Sequence, residues 1–174
     1  MLIKCSKVEK NQIAKSFVKF NERCMIRLLG DMRSYNYVIT PIHDFDKVIY
    51  KIRSIDFDQQ SFEGNLKVYR PQFFKENLKM VELVKDCLSK SSVDQYKIEE
   101  RAIVARRILS NESRLTHLLK CMLNDHISTK ENIFKLRNEI FKLTSYSMFK
   151  KSNSMGEILK ASFNFIKRNY ENHQ

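Results

Sequence analysis

The sequence predicts an all-α fold: one helical-bundle domain over residues 1–174, of the up-up-down-down type, with five to six helices and a long early crossover connection. Three observations predict it. The chain is 43% hydrophobic and 30% charged, enough apolar material to offset the entropy of ordering one domain. Only 3 Gly and 2 Pro occur, too few for the turns of a many-stranded sandwich or for a glycine-rich phosphate loop. Apolar residues also recur at steps of three and four, the helical period.

Ile13, Phe17, Phe20, Cys24 and Leu28 share one face of a first helix from Asn11 to Leu29, which ends at Gly30. Residues 31–70 are punctuated by Gly30-Asp31, Thr40-Pro41, Asp56 to Gln60 and Glu63-Gly64. They read as an ordered overhand connection carrying one short helix, Asp44 to Ile55, through Phe45, Val48, Ile52 and Ile55. Val48 to Ile52 equally fits a strand.

Pro71 suits a first helical turn, since it needs no donor there, and Phe74, Leu78, Val81, Val84 and Leu88 continue a second long helix to about Ser89. Lys90 to Asp94 is a polar break. Ile98, Ala102, Ala105, Leu109, Leu115, Leu119 and Met122 then mark a helix that bends near Ser110. Ser128/Glu131 and Ser154/Glu157 have the spacing of capping boxes and start two more helices. Their faces are Ile133, Leu136, Ile140 and Leu143, then Leu159, Phe163, Ile166 and Tyr170.

Lys plus Arg number 32 against 20 acids, a net charge of +12 that suits a nucleic acid, an anionic polysaccharide or an anionic membrane surface as partner. No apolar run is long enough for a membrane span. Met1 to Cys5 lacks the apolar stretch of a secretory leader, so the expectation is an intracellular protein or a mature form whose leader has been removed. Cys5, Cys24, Cys87 and Cys121 lack zinc-ligand spacing; they fit two disulfides, in any of three connectivities, or four reduced thiols acting as small hydrophobes.

Nothing in the sequence has the spacing of a nucleophile with its base, a metal cluster or a phosphate cradle, so no enzyme and no cofactor is predicted. His43, His117, His126 and His173 are scattered and read as surface or hydrogen-bonded side chains. Asn111-Glu112-Ser113 is a glycosylation sequon that matters only if the chain is exported. The basic pairs Arg106-Arg107, Lys150-Lys151 and Lys167-Arg168 read as solvated helix faces, and no strip of interleaved aromatics suggests base stacking.

Leu115 to Cys121, then Asn132 to Leu143, then Met155-Gly156-Glu157 opening an apolar last helix, together resemble the C-terminal third of the class II helical cytokines, the interferon and interleukin-10 family, most of all its interleukin-22 branch. In that family a cysteine closes the fourth helix, a lysine- and leucine-rich helix follows, and a Gly-Glu pair precedes the last helix. Leu159 stands where the family usually has aspartate. Cys5 resembles the family's N-terminal cysteine and residues 31–70 its AB connection.

The resemblance implies a secreted ligand that bridges two class II cytokine receptor chains, one of them engaged through the first helix, the long connection and the last helix. Candidate anchors are Arg33, Tyr35, Tyr37 and Phe45, with Lys167 and Tyr170 on the last helix. It also implies a Cys5–Cys121 bridge and leaves Cys24 and Cys87 to pair only if the first and second long helices bring their faces together. The alternative is an intracellular basic helical protein, viral in its lysine- and asparagine-rich usage, that binds nucleic acid or a partner protein. An enzyme with a dispersed site around His43, His117 and Glu112 ranks last.

Overall fold

Helix α1 (Lys7–Arg27) starts where a capping box can close. The Ser6 hydroxyl accepts from the Glu9 N–H, and the Glu9 carboxylate accepts from the Ser6 N–H at 2.8 Å. That box begins the helix four residues ahead of the expected Asn11. The computed structural model describes residues 5–45 and 47–172. His173 and Met1 to Lys4, most of the stretch on which the leader argument rests, lie outside the described residues.

The C-terminal end of α1 is set by Leu28, not Gly30. Leu28 takes a left-handed conformation with φ 50°, and the Leu29 N–H returns to the Cys24 carbonyl at 2.9 Å. Left-handed backbone costs a residue with a Cβ about 1–2 kcal/mol. Leu28 is fully buried, which is worth about 1.5–3 kcal/mol, so burial holds the strained conformation. Gly30 serves a close approach instead: a Cβ there would lie 2.5 Å from the Gln59 carbonyl oxygen.

The chain is not all-α. Strands β1 (Tyr37–Asp44) and β2 (Lys47–Ser54) form an antiparallel hairpin in the register Ile39↔Ile52, Pro41↔Tyr50 and His43↔Val48. The short helix expected from Asp44 to Ile55 is therefore not formed, and the strand reading of Val48 to Ile52 holds. A helix would have buried Phe45 and Ile55 with Val48 and Ile52, yet both are exposed. Period two instead turns Val48, Tyr50 and Ile52 toward α1, where they join Phe17 and Phe20, and β-branched and aromatic residues suit that half-buried surface.

A continuous helix from Pro71 to Ser89 is also corrected. Three 3-10 turns, Leu66–Tyr69, Pro71–Phe73 and Lys75–Asn77, precede α2 (Leu78–Cys87). Buried Asn77 explains the delay: its amide donates to the carbonyls of Met32 at 2.9 Å and Pro71 at 2.8 Å, and its oxygen accepts from the Tyr37 hydroxyl at 3.0 Å. The Pro71 carbonyl is thus shared between the Asn77 side chain and the 3-10 bond from the Phe74 N–H at 3.2 Å.

Lys90 to Asp94 is no break but the first turn of α3 (Lys90–Ser110), capped by Ser89. The anticipated bend is a full interruption at Asn111, after which α4 (Glu112–Asn124) begins. Helix α5 (Lys130–Thr144) is capped by Thr129, while the Ser128 hydroxyl donates to the Phe62 carbonyl and accepts from the Asn132 side-chain amide at 3.1 Å. The short α6 (Met148–Lys151) leads to α7 (Met155–Glu171), where Ser154 caps as expected while the Glu157 carboxylate accepts from Asn153.

Among the described residues the result is a mostly helical protein with a two-stranded sheet. One core cluster joins α1, the hairpin and α2; a second joins Leu28 and Tyr69 to α4, α5, α6 and α7. A small third cluster, Ile26, Val104, Ala105 and Ile166, ties α1, α3 and α7 together. No described helix is long and apolar enough to cross a membrane.

Candidate functional site

Lys15, Lys19, Arg23 and Arg27 follow one another at steps of four along α1. Four residues advance a helix by ~6 Å, so these cations form a row ~18 Å long on one face. Helix α1 buries its opposite, apolar face, which turns the row outward between β2 and α3. There it becomes the floor of a groove of about 710 Å³, with Lys51 and Arg53 on β2 and Arg107 on α3 as its walls.

The groove is positive because its cations outnumber the carboxylates that reach them. Lys15 and Lys19 share Glu99, at 3.7 and 2.8 Å. Arg23 donates to buried Glu100 at 2.8 Å and to the Ile52 carbonyl at 3.1 Å, and so joins α1, α3 and β2. Among the described residues Arg27, Lys51, Arg53 and Arg107 make no ion pair. Arg27 is exposed as a residue, but its head is crowded. Desolvation, then repulsion from Arg23 and Arg107, holds its guanidinium below the usual arginine range, though still charged. Like charges in a concave site focus the field and raise the local concentration of anions.

The hairpin edge facing α1 is closed by side chains: the Ser16 hydroxyl donates to the Tyr50 carbonyl and Arg23 to that of Ile52. The remaining wall carries Ile49 and Phe57, both partly open, with Phe57 49% exposed. Cations, a partly apolar wall and one available aromatic face thus stand together. Helical plotting of charge, as opposed to apolar residues, would have revealed the row of four; Phe57 carries no periodic signal.

The residues expected to bind a receptor are not gathered. Arg33 donates to Asp31 at 2.6 Å and Glu76 at 2.9 Å and lies 5.1 Å over the Phe74 ring. Its neutralising partners, Asp31 first, push its pKa further up. Tyr35 is exposed. Tyr37 is a correction: it is buried, stacks near Phe20 at 5.1 Å, and its hydroxyl is pushed up to about 12 by desolvation, so it offers no surface to a partner. Phe45, fully exposed, follows the far end of β1, eight residues and ~26 Å of strand from Tyr37. Lys167 pairs with Glu112 at 2.8 Å, and half-buried Tyr170 packs against the third cluster.

Among the described residues no disulfide joins Cys24, Cys87 and Cys121. The expected Cys5–Cys121 bridge is therefore not formed: Cys121 is exposed on α4, while Cys5 packs against the first cluster. Cys24 and Cys87 do border one cluster, yet they remain separate, and burial pushes the Cys24 thiol well up, as for a small hydrophobe. Asn111 is exposed at the α3–α4 junction and donates to the Arg107 carbonyl at 3.1 Å. His43 lies on the hairpin, His117 and Glu112 on α4 and His126 after it; among the described residues no three metal-ligating side chains gather.

No family model, curated protein or solved structure matches the chain.

Proposed function

We propose that this protein is a binding module for single-stranded nucleic acid, working through the groove between α1, β2 and α3 without chemistry of its own. The observation that carries this reading is the set Arg27, Lys51, Arg53 and Arg107, cations in a concave site that no carboxylate pairs among the described residues. Phosphates along a flexible strand can follow the row on α1, and Phe57 gives one base a face to stack on. A duplex keeps its bases inside, and an anionic polysaccharide has no π-face, so neither uses Phe57.

Fluorescence anisotropy with a labelled single-stranded oligonucleotide, its duplex and heparin tests the proposal. The single strand binds tightest, and Phe57→Ala weakens that complex while leaving heparin unchanged. Equal affinity for all three, insensitive to Phe57, would refute it.

A second reading, a secreted class II cytokine with an up-up-down-down helix arrangement, is favoured by Phe45, whose ring stands fully exposed within the segment that this resemblance assigns to a receptor. Receptor-ectodomain binding abolished by Phe45→Ala supports it; oligonucleotide binding indifferent to Phe45 supports the first.

A further inference from the structure

A second cleft, about 660 Å³, opens beside the groove between α3, α4 and α7. Val104 and Ile108 from α3, Leu115 and Leu118 from α4 and Phe163 from α7 make its apolar lining. Leu118 is 59% exposed although a leucine there gains nothing from water. Arg23, Arg27 and Arg107 line both cavities and so mark the end shared with the groove, and Arg114 of α4 also lines the cleft. Among the described residues the only ion pair of these four is that of Arg23 with Glu100.

We propose that this cleft binds a single-chain anionic amphiphile, with its phosphate or carboxylate head among Arg27, Arg107 and Arg114 and its alkyl tail along Ile108, Leu115, Leu118 and Phe163. The volume falls in the range of small-ligand sites. The arrangement is polarised, apolar along the lining and cationic at one end, and only a molecule polarised the same way satisfies both parts. A plain hydrocarbon would leave the arginines unpaired, and inorganic phosphate would leave the apolar lining wet. The head also relieves the mutual repulsion of Arg23, Arg27 and Arg107. The apolar lining belongs to the cleft alone, but Arg23, Arg27 and Arg107 line the groove as well, so an occupant of the groove competes with the amphiphile head for these cations.

The test is calorimetric titration of the whole protein, without nucleic acid, using octyl, decyl and dodecyl phosphate below their micellar concentrations, with inorganic phosphate as reference. The expected result is one dodecyl phosphate per chain, with affinity falling about fourfold for each methylene removed, and inorganic phosphate binding weakest. Leu118→Asp changes an exposed position, so it folds, and it lowers dodecyl phosphate affinity at least tenfold; Arg114→Ala lowers it severalfold without flattening the chain-length series. A flat series, or full affinity in Leu118→Asp, overturns the proposal. Flotation with phosphatidylcholine vesicles containing phosphatidic acid separates a free amphiphile from a lipid surface: vesicle binding without saturable uptake of dodecyl phosphate also overturns it.

Discussion

Arg33 and Arg107 belong to two regions that use the same side chain in opposite ways. At the Arg33 corner, Asp31 and Glu76 each accept from the guanidinium and Phe74 lies beneath it, so its charge is balanced and one of its faces covered within the protein. Along the α1–β2–α3 groove, Arg107 and Arg27 line one concavity, and among the described residues neither pairs with a carboxylate. The first arrangement fastens the segment after α1 to the 3-10 turn Lys75–Asn77 that precedes α2. The second leaves positive potential for something else to neutralise. A net charge of +12 therefore does not describe this protein well; the position of its unpaired cations does.

The comparison is broken most severely inside the groove, at Arg23, which belongs to both kinds. Arg23→Ala strands the Glu100 carboxylate, only 3% exposed, and leaves the Ile52 carbonyl without its donor. The expected loss is about 3–5 kcal/mol in urea unfolding; a loss under ~1 kcal/mol would mean that Glu100 is not a buried partner. Phe57→Ala comes next, weakening the single-stranded complex by ~1–3 kcal/mol in anisotropy titrations, the value of one stacked base.

The double variant Arg27→Ala/Arg107→Ala sharpens the contrast. It removes repulsion and no ion pair, so stability stays within ~0.5 kcal/mol of the parent while oligonucleotide affinity falls. A clear destabilisation would assign these arginines to the Arg33 type.

The smallest effect is that of pH. The carboxyls of Glu9, Glu76 and Glu99 lie below the usual value of 4.5: Glu9 first through the Tyr50 hydroxyl, Glu76 first through its own backbone N–H, Glu99 first through Lys19. A depressed folded pKa means that the unfolded chain binds the proton more readily. Stability from these groups is complete above about 4.5 and drains as pH falls through their lower folded values. Thermal melts across the acid range check this loss.

The legible parts of the sequence were those in which local chemistry and long-range packing agree. Ser154 caps α7 and its face carries Ile166 into the core as the spacing requires. Where two periods fit the same residues, the sequence alone does not choose: Val48 and Ile52 serve a helix or a strand, and contact with Phe17 and Phe20 decides. Asn77 misled because its role, holding the Pro71 and Met32 carbonyls, exists only once residues far apart are folded together. The basic row on α1 was present at steps of four, but a search for apolar stripes passes over it. Its walls come from β2 and α3 and follow only from the tertiary fold.

Nucleic-acid affinity as a function of salt, compared between the parent and Arg27→Ala/Arg107→Ala, tests the central claim most directly. Neutralising about four strand phosphates gives a slope of log affinity against log salt near −3. The double variant is expected to be shallower by ~1.4, the share of two contacts. A parent slope near zero, or one that the double variant leaves unchanged, would contradict the assignment of the groove.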